Sequence, residues 1–116
     1  MTTEVTVCVA IAAVEEVSAA ASPGTQLDRL GPVSVFAATP AGNNIGAMLL
    51  FPTDSEVGDV IEVYDLATTN PTQNYINVYP ASGEAFLGSS TGDPFTVHAV
   101  TGNVFRKLTS TLWGVK

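Results

Sequence analysis

The side chains best able to do chemistry are few and widely spaced in this sequence. The chain has one histidine, His98, and one cysteine, Cys8. A general base, a nucleophile or a metal ligand needs partners at short range, and neither residue has a second histidine or cysteine to join it. We therefore expect His98 to be a solvent-facing strand residue. We expect Cys8, which lies among valines, to be a small buried apolar residue.

An acidic group formed by Asp54, Glu56 and Asp59 precedes a predicted strand. Calcium loops use alternating oxygen ligands, and this spacing loosely allows such a site, but the DxDxDG motif is absent. A solvated loop is favoured because acidic residues are normally exposed. The sequence thus predicts no metal site, no cofactor and no catalytic residues, and the chain is not expected to be an enzyme.

Three tyrosines form the remaining candidate site. Tyr75 and Tyr79 share one face of a predicted strand, and Tyr64 is expected on a neighbouring strand. Cross-strand pairing that stabilises a sheet is the first interpretation. Burial at a subunit interface, where tyrosine is enriched, is the second. A platform for stacking a carbohydrate ligand is the third.

The composition indicates a single domain whose surface is shared with other chains. Of the 116 residues, 46% are apolar and 13% are charged, whereas ordinary domains carry about 25% charged residues. A surface with so few charges is typical of one partly covered by partners, although abundant Thr, Ser and Asn also keep surfaces hydrated.

Charge is divided unevenly along the chain. All eleven acidic residues lie within residues 1–93, together with Arg29, whereas residues 94–116 contain Arg106, Lys107 and Lys116 and no acid. Three basic residues in a chain of net charge −7 are too few for a nucleic-acid surface. We expect them to help the domain dock onto an acidic surface of another protein or of a second copy.

Cysteine count and apolar runs argue against two further classes of protein. One cysteine cannot form an internal disulfide, which disfavours a disulfide-stapled secreted domain. No apolar run reaches the roughly 20 residues that span a bilayer. Residues 5–14 are apolar but follow Glu4 rather than a basic residue, so we expect neither a signal peptide nor a membrane partner.

Hydrophobic alternation predicts about eight short strands with turn signals every 8–12 residues. In the first 26 residues, Val5, Val7, Val9 and Ile11 alternate with smaller residues and favour a strand over 4–11. Residues 12–22 are alanine-rich and could form a helix, so their secondary structure is left undecided. The other predicted strands lie near 33–38, 45–51, 59–66, 74–79, 84–87, 95–100, 104–108 and 112–115.

These elements predict an all-β domain, a small antiparallel sandwich or barrel of jelly-roll type over residues 27–116, with residues 1–26 as an N-terminal arm. Segments 59–66 and 74–79 are expected to pair as a hairpin. Trp113 is expected to pack the last strand onto the core, with a partner for its indole N–H.

The second half of the chain resembles a group of small bacteriophage virion proteins. Their pattern is an apolar strand, a glycine-led strand, a hairpin ending in V-(Y/F)-P-A-(S/T)-G, and a strand pair closing on a tryptophan. The resemblance covers about residues 45–113. The matching residues are Gly58, Val63, Asp65, Val78, Tyr79, Pro80, Ala81, Ser82, Gly83, Phe105 and Trp113.

This resemblance implies a β-rich structural component on the capsid exterior, often trimeric, such as a decoration (cement) protein or a head-fibre module. It implies the major capsid protein and further copies of the chain as partners. The expected interface residues are Val5, Val7, Val9 and Ile11 in the arm with Arg106 and Lys107. The alternative is a head- or tail-fibre module that binds a host glycan through Tyr64, Tyr75 and Tyr79.

Overall fold

The computed structural model describes residues 13–30, 33–40, 47–66 and 75–116, and within these ranges the chain is mainly β with no helix. Alternating apolar residues and frequent turns account for this content. The strands are β1 (Ala13–Ala19), β2 (Thr25–Gln26), β3 (Val33–Pro40), β4 (Ala47–Leu50), β5 (Val60–Asp65), β6 (Tyr75–Tyr79), β7 (Ala85–Phe86), β8 (Phe95–His98), β9 (Gly102–Thr109) and β10 (Leu112–Val115).

The strands form two mixed sheets. The six-stranded sheet has the order β1-β3-β5-β9-β10-β7, and the four-stranded sheet has the order β2-β4-β6-β8. From β1 to β6 the chain alternates between the sheets, so that each strand pairs in parallel with the strand two places later. The antiparallel pairs are β5–β9, β6–β8 and β9–β10.

This path corrects two expectations. The predicted antiparallel architecture is wrong for five of the eight strand pairs described, which are parallel. The predicted hairpin is also wrong, because β5 and β6 belong to different sheets. Alternation shows which residues of a strand face the core, but it does not identify the neighbouring strand.

One hydrophobic cluster draws residues from both sheets. Phe36, Ile61 and Phe105 come from the six-stranded sheet, and Ile76 and Val78 come from the four-stranded sheet. Ile61 with Val63 on β5, and Ile76 with Val78 on β6, are therefore the core-facing positions of these strands. Aromatic rings join the layers, since Phe95 of β8 lies 5.5 Å from Phe105 and 6.3 Å from Phe86, measured between ring centroids.

Trp113 lies at the centre of this core and is fully buried, as predicted. Its ring centroid is 4.9 Å from that of Phe51, and its Nε1 donates a hydrogen bond of 2.8 Å to Glu84 Oε1. Edge-on aromatic contacts of this kind add to the free energy of area burial, by about 0.5–1.5 kcal/mol per pair.

The described part of the N-terminal segment is joined to both sheets. β1 runs beside β3 over seven register positions, and Ala19 at its end is fully buried. The open alternative for residues 12–22 is thus resolved as strand over Ala13–Ala19. Gly24, with φ +94°, turns the chain towards β2, where Leu27 N donates to Leu50 O at 2.8 Å. The predicted strand at 4–11 lies outside the described residues.

Candidate functional site

The residues first considered for chemistry do not come together. His98 is exposed at the end of β8, as expected, where its register partner is Tyr75. Cys8 lies outside the described residues. Among the residues that the structure describes, no group of three histidine, cysteine, aspartate or glutamate side chains could hold a metal ion. In those same residues, no helix has the length and apolar character needed to cross a membrane.

The acidic group is divided between solvent and core. Asp54 and Glu56 are exposed as predicted, but Asp59 is only 6% exposed, so the prediction of a solvated side chain is wrong for this residue. Asp59 accepts hydrogen bonds from Arg29 Nε at 2.6 Å and from Glu56 N at 2.8 Å. The Arg29–Asp59 ion pair joins the loop ahead of β5 to the segment after β2.

Two opposing effects act on the Asp59 carboxyl. Burial favours its protonated form and would raise its pKa. Hydrogen bonds from Arg29 and from the Glu56 N–H, with the positive charges of Arg29 and Lys107, stabilise the carboxylate and outweigh burial. The pKa of Asp59 therefore lies below its usual value, and the carboxylate acts as a structural anion.

Lys107, predicted to dock onto a partner, is instead part of the interior. Its side chain is 5% exposed, with Nζ 3.2 Å from Glu84 Oε1 and 3.0 Å from the Ser55 carbonyl oxygen. The same Nζ lies 5.7 Å from the centroid of the Trp113 ring. This burial corrects the expected interface role of Lys107, which lies two positions after Phe105 on β9 and shares its core-facing side. Arg106, the neighbouring position, is exposed.

The face of the six-stranded sheet turned away from the core is unusually apolar, and we call it the outer face. It is made of the residues that alternate with core positions on β1, β3, β5, β9 and β10, together with Ala85 and Leu87 beside β7. Its members are Val14, Glu16, Ser18, Val33, Val35, Ala37, Thr39, Val60, Glu62, Tyr64, Gly102, Val104, Arg106, Leu108, Gly114 and Lys116.

Several large apolar side chains on the outer face are open to solvent. Val14 is 73% exposed and Leu87 is 63% exposed, and Val33, Tyr64 and Leu108 are also exposed. Val35, Ala37 and Val60 of the same face are at most 9% exposed, so the exposed apolar side chains form patches around a buried centre. Exposed apolar patches mark interaction sites when they are large. A sheet that is apolar on both faces is also the pattern expected when both faces are covered.

Four charged residues lie on the outer face. Glu16 lies on β1 and Glu62 on β5, whereas Arg106 lies on β9 and Lys116 follows β10. Glu16 and Arg106 are about 14 Å apart across the strands, at about 4.8 Å per strand, and are offset by four residues along them. Glu62 is a diagonal neighbour of Arg106, since its register partner is Val104. The β1 side of the face thus carries Glu16, and the β9–β10 side carries Arg106 and Lys116.

The β9–β10 side of the outer face contains a shallow apolar groove of about 300 Å³. Leu87, Leu108 and Val115 lie along it, and Arg106 and Lys116 form a cationic rim. A second groove of about 440 Å³ lies at the end of β5, lined by Tyr64, Leu66, Val100 and neighbours. Such grooves accept apolar side chains of a partner.

Val100 stands out in the second groove because its backbone is strained. Its φ is +59°, a region that β-branched residues rarely adopt, and its side chain is 67% exposed. Two backbone hydrogen bonds of 2.9 Å, from Val100 N to Asp65 O and from Asp65 N to Thr101 O, hold this turn against β5. Strain that presents an apolar side chain to solvent is typical of a contact site.

The three tyrosines do not form one platform. Tyr64 lies on the outer face of the six-stranded sheet, where its ring packs over Gly102, and a Cβ at that glycine would overlap the ring. Tyr75 and Tyr79 lie on β6 in the four-stranded sheet and are half-buried. Between them, Asn77 Oδ1 accepts a hydrogen bond of 3.0 Å from Thr96. None of the four strands of this sheet carries a charged side chain.

The predicted interface residues are therefore distributed as follows. Arg106 lies on the outer face, Lys107 lies in the core, and Val5, Val7, Val9 and Ile11 lie outside the described residues. The outer face was missed from the sequence, although the apolar run over 35–38 in β3 and that of β10 could have indicated strands covered on both sides. No family model, curated protein or solved structure matches the chain.

Proposed function

We propose that this chain is a structural bacteriophage virion protein, a capsid decoration (cement) protein that binds the outside of the shell as a homotrimer. The observation that carries the proposal is the outer face, a sheet surface with exposed large apolar side chains, with Glu16 on its β1 side and Arg106 and Lys116 on its β9–β10 side. The strand-and-turn resemblance over residues 45–113 supports the same class of protein.

A protein of this kind works by burying surface across the junctions between capsomers. An interface of about 1,600 Å² is the standard size for a specific protein contact. A ligand that binds only the assembled shell stabilises it through mass action, so many repeated contacts resist internal pressure without any chemistry. A three-fold junction favours a three-fold ligand, because closed symmetry then matches the symmetry of the site.

Docking onto an acidic surface, of the shell or of a second copy, is assigned to the basic residues that remain exposed, Arg106 and Lys116. Of the three predicted docking residues, Lys107 is left out because it is buried. Residues 1–12 are proposed as an arm that reaches a neighbouring chain. This segment is shorter than the arm expected over 1–26, because β1 and β2 are paired within the two sheets.

The finer architecture that we propose is a two-sheet sandwich. The ring contacts of Phe95 with Phe86 and Phe105 support it, since they join the four-stranded sheet to the six-stranded sheet. No strand of the described residues belongs to both sheets, which favours a sandwich over a barrel.

Sedimentation with purified capsids that lack the protein tests the proposed function. We expect the full chain to co-sediment and saturate near a fixed ratio to the major capsid protein. A variant that starts at residue 13 keeps every described strand, and we expect it to fold but to bind less. Binding should weaken with added salt, since charged surfaces are screened. Full-length protein that stays in the supernatant would contradict the proposal.

A second candidate function is a fibre module that binds a host glycan. Tyr75 and Tyr79 support it, because both lie half-exposed on one uncharged face of the four-stranded sheet with Asn77 between them. Screening on a glycan array tests it directly, with the Tyr75→Ala, Tyr79→Ala double variant as the comparison. A signal that the double variant loses would favour this function over shell decoration.

A further inference from the structure

We propose that the outer face of the six-stranded sheet seats a second copy of this chain, with the β1 end of one copy against the β9–β10 groove of the next. The contact is defined by Val14 and Glu16 on one side and by Leu87, Leu108 and Arg106 on the other. It deepens the proposed function, on which it rests for the trimeric state, by stating which surfaces meet.

The two ends of the outer face carry complementary apolar and charged groups. The β1 end presents Val14, which is 73% exposed, with Glu16 two positions along the same face. The opposite end presents an apolar groove with Arg106 and Lys116 at its rim. An apolar side chain flanked by a carboxylate is the partner that an apolar groove flanked by cations would recognise.

Glu16 and Arg106 cannot pair within a single copy. They lie on strands separated by β3 and β5, about 14 Å apart across the sheet and four residues apart along it. Glu62 is the carboxylate nearer to Arg106 in the same sheet, and Glu16 is the one left free to meet a second copy. Every copy carries both ends, and a second copy is therefore a partner that always matches.

The contact joins different surfaces of the two partners and is therefore heterologous. A heterologous contact closes into a ring when the rotation between copies is a simple fraction of a turn. In a closed ring each copy uses its β1 end once and its β9–β10 groove once.

Charge reversal in the purified full chain tests the contact. We expect sedimentation equilibrium to show a closed oligomer for the natural sequence. Arg106→Glu and Glu16→Arg should each raise the dissociation constant about tenfold or more, because each places like charges together. The double variant should return it to within about threefold of the natural value, since the pair is restored in reversed order.

Two controls show whether a change in the dissociation constant arises from the contact itself rather than from misfolding. Asp93→Arg makes the same charge change as Glu16→Arg at an exposed loop position away from the outer face, and it should leave the dissociation constant unchanged. Far-ultraviolet circular dichroism of each variant should match that of the natural chain, because the altered side chains are exposed.

The inference would be overturned by a natural chain that stays monomeric at about 100 μM, by single variants that associate normally, or by a double variant that fails to recover. These outcomes are separate from failure of the proposed function. Binding to capsids by a monomeric chain would leave shell decoration intact and remove the contact between copies.

Discussion

At the scale of single residues, the interior is organised around a buried polar pair. Glu84 accepts a hydrogen bond from Trp113 Nε1 and lies 3.2 Å from Lys107 Nζ. Lys107 also donates to the Ser55 carbonyl oxygen. Each polar group in this arrangement has a partner, which is the condition under which buried charges are tolerated. The pair ties the turn before β7 to β9 and β10.

We predict that Glu84→Gln strongly destabilises the fold. The amide can still accept from Trp113, but Lys107 would remain buried without a carboxylate, a situation that costs about 3–5 kcal/mol. Urea unfolding followed by Trp113 fluorescence measures this free energy. Asp93→Asn makes the same chemical change at an exposed position and should shift it by less than about 0.5 kcal/mol. Equal effects of the two substitutions would show that the buried pair contributes nothing.

The pH dependence of stability should reflect the Asp59–Arg29 pair. Because the folded pKa of Asp59 is below its unfolded value of about 3.9, its contribution is present above that pH and is lost as pH falls towards the folded pKa. We predict that Asp59→Asn lowers the urea midpoint at pH 7 and that the difference from the natural chain narrows below about pH 4. A difference that stays constant from pH 7 to pH 2 would contradict this.

Asp54→Asn provides the matched comparison for that measurement. Asp54 belongs to the same loop, but its side chain is exposed. We expect this variant to keep the pH profile of the natural chain, because its carboxylate loses little hydration on folding.

At the scale of elements, connections between the two sheets decide the path of the chain. Gly24 joins β1 to β2 with φ +94°, and a Cβ there would lie 2.9 Å from Met48 Cβ. Gly58 has nearly the same φ, +95°, yet nothing lies within 4 Å of its Cβ position. A comparison of substitutions at these two glycines therefore distinguishes the cost of backbone strain from the cost of steric overlap.

We predict that Gly24→Ala destabilises the chain more than Gly58→Ala does. Both substitutions place a side chain in the left-handed region, at about 1–3 kcal/mol each. Only the first also forces Met48 to move. Thermal unfolding of the two variants side by side measures the difference, and equal losses of stability would argue against close packing between β1, β2 and β4.

The inward positions of the strands could be predicted from the sequence, whereas their pairing could not. Ile61 with Val63, and Ile76 with Val78, alternate with polar residues and are buried. Parallel pairing of β3 with β5 leaves no such signal, because the partners are separated by a strand of the other sheet. Pairing at long sequence separation depends on the whole fold rather than on local pattern.

Buried charges were the other feature that local pattern did not predict. Lys107 and Asp59 belong to residue types that are almost never fully buried unless paired, and their partners Glu84 and Arg29 are distant in sequence. For Lys107 a signal existed, since it shares a strand face with Phe105. Because buried charges were not foreseen, only part of the candidate site was predicted correctly. Arg106 lies on the outer face, whereas Lys107 lies in the core.

At the scale of the whole molecule, the six-stranded sheet covers the core with one face and exposes large apolar side chains on the other. That outer face also carries Glu16 on its β1 side and Arg106 and Lys116 on its β9–β10 side. Low overall charge fits the same description, because surface that other chains cover needs few charges. These features are the basis of the proposed assembly through this surface.

The most direct test of the proposed shell decoration is the copy number of the protein in purified bacteriophage particles. Quantitative peptide mass spectrometry against the major capsid protein gives this ratio. We predict a near-stoichiometric ratio, since a decoration protein repeats over the shell. A few copies per particle would instead favour a fibre component and the tyrosine-bearing face of β6. Absence from the particle would contradict the proposed function.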